Sequence, residues 1–493
     1  YFGTSGAFSA FTLAFQVPNL VRNLFADAAL SAAFVPVFTE LLEKGKRREA
    51  FQLASTFVVL ITAALTVVCV FFVLVAPYLM PALTPGDEFT PELDGLAVGL
   101  SQVLFPIVLL LGLNGLVVGI LNAYDHFTIP ALAPLVWNFV IIGLLVALKP
   151  RFHGADQLYA YAIAVVAATF VQLVMAVPVL RRLDFKLERK VDFRDPRVRQ
   201  VLALMLPVTL SLGLINFNMM INSVLGAAVS DGAPRAIDAA FRIYMLPQGM
   251  FSVAVATVLF PALSRLAARR DFDGLRALTG TGTRQIFLLL VPAAACTLAL
   301  AVPITRLVYQ RGEFDADSTR LVAEALFWFS FSLPFAGANL LLTRTFFSLQ
   351  RPWLPTALGG ATLVLNAIVA VALYKPFGVG GIVFGTGVAS ATMTAGQAWY
   401  LRRELGGQLE GRATFDAVVR ICAASALLGV VAYGIYRGLD ELVGRSLPGQ
   451  LISVCGALIA GLAVYAFAVL ALRVPEAQQI RDAIGSRLAR PRS

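Results

Sequence analysis

Thirteen stretches of predominantly apolar residues, each longer than 20 positions, recur along this chain, and they dictate what it can fold into. They fall near 5–38, 51–80, 96–122, 127–148, 157–180, 198–226, 235–264, 284–308, 320–348, 353–374, 378–401, 414–436 and 449–472. A bilayer core takes about 20 apolar residues per helix, so each stretch predicts a membrane-spanning helix. Only 14% of the 493 residues are charged, against about 25% in a soluble domain. The first and seventh stretches are long and interrupted, by Pro18 and Pro36 and by Pro247 and Pro261. Proline in a membrane helix frees backbone carbonyls and invites a kink. The fold class expected is all-α, a polytopic membrane bundle.

Charge orients the bundle. One set of loops holds "EKGKRRE", "RRLDFKLERKVDFRDPRVR", "SRLAARRDFDGLR", "RRELGGQLEGR" and the tail from Arg473; with the turns near Asp125 and Arg351 it carries 25 Lys and Arg. The alternate set carries 9. Basic loops face the cytoplasm, which places the C-terminus there and the start of the first visible helix outside. The reading therefore expects one further helix before Tyr1, fourteen in all, in a bacterial cytoplasmic membrane. The net charge of +10 gathers in short loops with no basic, aromatic-interleaved face, so no nucleic-acid partner is expected.

Catalytic and metal signals are missing. Cys69, Cys296, Cys422 and Cys455 stand singly in apolar runs, and His126 and His153 lie in different loops, without metal spacing. No GxxxxGK[ST], HExxH or GxSxG occurs. The chain reads as neither an enzyme nor a cofactor binder.

The sequence also repeats. "FQVPNLVRNLF" from Phe15 is echoed by "FRIYMLPQGMF" from Phe241, and "DHFTIPAL" with "LVWN" by "QRPWLPTA" with "LVLN". Both echoes run in one orientation at an offset of about 225 residues. Parallel repeats about an axis along the membrane normal are a transporter architecture. They predict an N-lobe over 1–183, a C-lobe over 184–405 with a cavity between the lobes, and two additional helices with a basic tail over 406–493.

Of the 39 Lys and Arg, 34 are read as loop or tail residues, Arg235 in "SDGAPR" among them; the other five are Arg22, Arg242, Arg284, Arg344 and Arg420. Arg284 and Arg420 sit at cytoplasmic helix ends, where long side chains snorkel. Arg22 and Arg242 lie well inside the two repeat-equivalent kinked helices. A central Arg costs roughly 2.5–3.5 kcal/mol on insertion scales, so it marks a wet cavity or a partner. One alternative is an internal ion pair, Arg22 with Asp27 or Arg242 with Asp238. The other is an anion site, since a guanidinium holds a phosphate or diphosphate bidentately. Asn216, Asn218, Asn222 and Asn366 form a polar set suited to helix–helix hydrogen bonding or to a weak cation.

The stretch "AFQVPNLVRNLFADAALSAAFVPVFTELLEKGKRREAF" (14–51), with "AFRIYMLPQGMFSVAVATVLFPALSRLAA" (240–268) and "GILNAYDHFTIPALAPLVWN" (119–138), resembles the MurJ (MviN) family of lipid II flippases. That family sits in the multidrug/oligosaccharidyl-lipid/polysaccharide exporter superfamily, and the resemblance runs over nearly the whole chain. It implies that Arg22 and Arg242 match cavity arginines and that Asp27 matches an acidic position; Arg344, in the ninth stretch nearer its cytoplasmic end, is placed beside them as a further substrate-binding candidate because of its intramembrane position. The implied partner is lipid II, a polyprenyl-diphosphate-linked saccharide, carried by a monomer among membrane lipids. Departures are Ser9 and Phe241, where relatives often carry Asp. A sodium site in some members matches Asn222, Asn366 and Ala370 here, so sodium coupling is not expected. Rival readings are a flippase for another polyprenyl-diphosphate-linked glycan and a drug/cation antiporter.

Overall fold

A computed structural model describes residues 5–25, 27–84, 89–124, 126, 128–183, 185–188, 191–349, 351, 353–406, 410–478 and 481. Within helices, the side chains of 22–25, 27–33, 36, 204, 206–208, 210–212, 215 and 268 lie outside this description. Among the described residues 89% are helical and no strand occurs. The first helices are α1 (Gly6–Phe25), α2 (Asp27–Glu43), α3 (Arg47–Ala82), α4 (Pro91–Leu104), α5 (Pro106–Ala123), α6 (Thr128–Leu148), α7 (Gln157–Arg182) and α8 (Pro196–Ala227). Then follow α9 (Ala233–Pro247), a π-helical turn (Gln248–Val253), α10 (Ala254–Ala268), α11 (Phe272–Ala299), α12 (Ala301–Tyr309) and α13 (Ala316–Ser348). The series ends with α14 (Trp353–Glu404), α15 (Gly411–Val443) and α16 (Leu447–Ala471).

Among the described residues, ten helical segments are long and apolar enough to cross a membrane. This is the all-helical polytopic architecture that the apolar stretches predict. Eleven of the thirteen stretches read from the sequence fall on these ten segments, because α14 covers two of them; the stretch 5–38 falls on α1 and α2 and the stretch 198–226 on α8, which are not among the ten. α14 joins two stretches across Gly378, whose φ of 55° falls in the left-handed region that glycine adopts cheaply. The Glu324 carboxylate accepts from the Gly380 N–H at 3.1 Å, capping the second half of α14. Large apolar side chains point outward along the spans, among them Leu74, Phe139, Val258, Val430 and Phe467, each at least 68% exposed. Such a surface suits lipid, not water.

Two prolines in the spans have their hydrogen-bond deficit met from a neighbouring helix. A proline removes the donor that would serve the carbonyl four residues earlier, and an orphaned carbonyl in a dry interior must find another donor. Pro77 in α3 orphans the Val73 carbonyl, and Gln102 Nε2 of α4 donates to it at 3.1 Å. Pro292 in α11 orphans the Leu288 carbonyl, and the Tyr465 hydroxyl of α16 donates to it at 2.7 Å. Tyr465→Phe therefore leaves a buried acceptor unsatisfied. The expected loss is about 1–3 kcal/mol, read as a lower midpoint of thermal unfolding in detergent; an unchanged midpoint would refute this account.

Packing gathers the chain into two compact units, Ser5–Pro234 and Arg235–Ser493. In the first, α1 packs on α4 and α8, α2 on α5 and α8, and α6 on α7. The segment before α8 is strapped to α3: Ser55 Oγ and Thr56 Oγ1 accept from the backbone N–H groups of Glu188 and Asp192. Arg197 bridges Asp195 and Glu49. Burial alone would raise the Asp195 carboxyl, but hydrogen bonds from the Arg197 side chain and backbone outweigh it and hold it below the ordinary value. Packing and repeat are different relations, and they divide the chain differently. α8 packs with α1 and α2, although the repeat read in the sequence begins the C-lobe at 184.

In the second unit α13 is central, packed on α11, α10 and α14. The two terminal helices, outside the sequence repeat, are built into this core. Ile421, Ala424 and Leu428 of α15 and Tyr465 and Val469 of α16 share a cluster with Phe287, Leu288 and Cys296 of α11.

A candidate anion-binding face on a kinked helix

The kinked span α9–α10 shows how the sequence positions Arg242. Phe241 and Tyr244, three residues apart, lie on one face of α9. Both rings pack against Phe329 of α13, and the Tyr244 hydroxyl pairs with Ser332 Oγ at 3.1 Å. With that face locked, Arg242 (side chain 61%), Leu246 and Met250 point away from it and are exposed, with Met245 exposed at its edge. The result is one guanidinium at the head of an apolar strip, an arrangement matched to an amphiphile with an anionic group.

Asp238 Oδ2 holds the Nε of Arg242 at 3.0 Å and Nη1 of Arg235 at 2.7 Å. The ion pair that the sequence offered as an alternative is therefore present, shared by a second arginine. Sequence reading left Arg235 among the loop residues; it lies in the first turns of α9, with its side chain 14% exposed.

Below Arg242 the span relaxes into the π-helical turn. Pro247 ends α9, and the turn carries the buried Ser252 against Gly337 of α13. π-Turns sit often at functional sites. A Cβ on Gly337 would run into Leu290 Cδ1 and stand 2.8 Å from Ser252 Oγ and 2.9 Å from Ile286 Cγ2. Gly337→Ala is expected to destabilise the protein by about 1–3 kcal/mol through overpacking, measured by thermal unfolding. Wild-type stability in that variant would mean that the contact yields freely.

The other predicted residues scatter over both units. Arg22 lies in α1 and Asp27 opens α2, and both side chains lie outside the described residues. Arg344, on α13, is half-buried with its guanidinium 5.4 Å from the Phe260 ring centroid, a cation–π contact. Asn222 is fully buried in the first unit, beside Ser223, whose Oγ accepts from Gln16 Nε2 at 2.6 Å. Asn366 is fully buried in the second, where its Oδ1 receives the Thr386 hydroxyl at 3.4 Å.

One expectation is corrected. Arg284 does not snorkel to the surface. Its side chain is 11% exposed and bonded to Glu476, itself 1% exposed, and to Glu410 Oε2 at 2.7 Å. Both carboxylates stand more than 120 residues away in sequence, so no helical spacing signals them. Arg420 reaches the Leu472 and Arg473 carbonyls at 3.2 and 3.3 Å and closes the end of α16. Sequence reading also missed Glu324, the Asn339–Thr394 hydrogen bond at 2.8 Å and the Thr343–Gln397 bond at 2.9 Å between α13 and α14. A polar residue in an apolar stretch was the available signal for all of them.

A polytopic helical bundle with lipid-facing spans and a guanidinium on a proline-kinked helix defines a multi-pass membrane protein of the transporter kind. The comparisons sharpen that class. The sequence profile of the family described as lipid II flippase MurJ matches residues 1–447, and the chain belongs to that family. A probable lipid II flippase MurJ of Rhizobium meliloti (strain 1021) is 28% identical over 487 residues, covering 95% of this chain and 88% of its own. The counterpart in Synechocystis sp. is also 28% identical, covering 99% and 92%. The solved lipid II flippase MurJ in an inward closed conformation superposes with a TM-score of 0.77 at 20% identity, over 96% of this chain and 94% of its own. An inward-facing MATE family multidrug transporter gives 0.69 at 15% identity, over 82% and 92%. These two superpositions speak to the fold alone.

Proposed function

We propose that this chain flips lipid II, the polyprenyl-diphosphate-linked peptidoglycan precursor, from the cytoplasmic to the outer leaflet by alternating access. The observation that carries the reading is the exposed Arg242 guanidinium heading an apolar strip on a kinked helix, in a chain whose family match spans residues 1–447. The diphosphate is the anion and Arg242 its partner, with Arg22 on the repeat-equivalent helix as the second cation. Asp27 and Arg344 complete the substrate set, and Asn222 and Asn366 are polar residues without the charge to hold sodium firmly. The two lobes, 1–183 and 184–405, rock to expose the head group first inward and then outward while the polyprenyl tail stays in lipid. No covalent bond changes, and the carrier works as a monomer in the bacterial cytoplasmic membrane with its C-terminus in the cytoplasm. A potential negative inside favours outward movement of an anion by about 2.3 kcal/mol per charge per 100 mV.

The test is complementation. A bacterium depleted of its own lipid II flippase is supplied with this protein, with membrane expression verified. Restored growth and wall synthesis support the reading. Continued lysis at full expression refutes it and shifts weight to another polyprenyl-diphosphate-linked glycan.

A further inference from the structure

The segment between α7 and α8 is tied to the side of a membrane span. Ser55 Oγ and Thr56 Oγ1 of α3 give their protons to the carbonyls four residues back, those of Phe51 and Gln52, at 2.8 Å each. Their lone pairs remain for the strap. The N–H of Glu188 donates to Ser55 Oγ at 2.8 Å and that of Asp192 to Thr56 Oγ1 at 3.2 Å. Phe185 sets its ring edge-on to Phe51, with 5.2 Å between centroids. These anchor points lie within the apolar stretch of α3, and Ser55 stands about 12 Å beyond Arg47 along the helix axis. The strap therefore runs at the level of the membrane rim.

Two large apolar side chains of the strap, Leu187 and Phe193, are nonetheless 63% and 57% exposed. Exposed cations surround them: Lys186 and Arg194 on the strap, Arg181 and Arg182 in the last turn of α7, and Arg47 and Arg48 in the first turn of α3. None of these cations has an ion pair with another described residue. The carboxylates of Glu49 and Asp195 are taken by Arg197, and that of Asp192 accepts the backbone N–H of Arg194 at 2.9 Å. Exposed apolar side chains flanked by cations suit a membrane surface, where the former enter the acyl boundary and the latter stay among the headgroups. Each Lys or Arg near an anionic surface strengthens attachment about fivefold. We propose that this strap is a membrane-surface anchor that takes anionic phospholipid headgroups of the cytoplasmic leaflet, with Leu187 and Phe193 as its apolar wedge. The choice of leaflet rests on the reading that the basic loops face the cytoplasm.

The experiment is amide hydrogen exchange on the full chain in nanodiscs of phosphatidylcholine alone and of an equal mixture with phosphatidylglycerol. The amides of 185–188 and 191–195 are expected to exchange at least about fivefold more slowly in the mixture, the contribution of one cation, while those of the outer loops stay unchanged. Lys186→Gln with Arg194→Gln should erase most of that difference. Leu187→Ser with Phe193→Ser should speed exchange in both lipids, with the unfolding midpoint checked for each variant. Equal exchange of the wild-type strap in the two lipids overturns the proposal, as does full protection in the charge variant. Protection by inorganic phosphate in phosphatidylcholine discs, or by an added polyprenyl diphosphate where phosphatidylglycerol gives none, also overturns it and assigns the cations to a soluble anion or to the transported lipid. The readout is exchange and not transport, and both faces of a nanodisc carry the same lipid, so the flippase reading and its orientation stand or fall separately.

Discussion

Arg242→Ala is expected to abolish complementation of a lipid II flippase deficiency while leaving the protein folded and in the membrane. The side chain is 61% exposed and its ion pair with Asp238 lies on the same helix, so truncation opens no cavity in the core. What disappears is the cation. Hydrogen bonds to a charged group contribute about 1.5–3 kcal/mol each way, so the loss in transport is at least about tenfold and reaches about a hundredfold if the diphosphate is held bidentately. Arg242→Lys keeps the charge and loses the planar fork, so it should retain part of the activity. Arg22→Ala should fail in the same way, because the repeat places it on the equivalent kinked helix. The measurement is growth under depletion, with membrane expression and the unfolding midpoint checked for each variant. Full rescue by both alanine variants would remove the arginines from the substrate path and leave the family assignment standing.

The second large effect belongs to stability. Arg284→Met is expected to lower stability by about 3–5 kcal/mol, the loss measured when one partner of a buried ion pair is removed. The charge left behind is Glu476, 1% exposed beyond the end of α16, whose ion pair among the described residues is with Arg284. Glu410, 40% exposed, is reached by water and adds little by itself. The pair joins α11 to the segment after α16, so its loss should loosen the two terminal helices first. Thermal unfolding in detergent reads the global effect, and limited proteolysis after Ala471 reads the local one. Arg284→Met with Glu476→Leu should recover most of the stability, because a well-packed apolar pair replaces a buried ionic one at little penalty. A single variant as stable as wild type would show that Glu476 finds water or a proton instead.

Particular residues show how far the sequence reached. The apolar stretches fixed the all-helical, membrane-spanning class, because the thickness of a bilayer sets the length of a span whatever packs beside it. The break at Pro247 was visible as a proline, and the intramembrane position of Arg242 followed from its apolar neighbours. Packing decided the rest. That Gln102 and Tyr465 would serve the carbonyls orphaned by Pro77 and Pro292 depended on which helices lie side by side. Arg284 looked like a snorkelling residue because sequence spacing reports only contacts three or four positions away. Its true partners, Glu410 just before α15 and Glu476 just after α16, are brought to it by folding. Arg235 looked like a loop residue because its burial against α9's own neighbours has no local signature. The sequence by itself determined what the chain dissolves in and which residues are too expensive to be there without a reason, since both follow from transfer from water to lipid. Only the tertiary structure decided which charge answers which, because that energy depends on distance and burial between residues far apart along the chain.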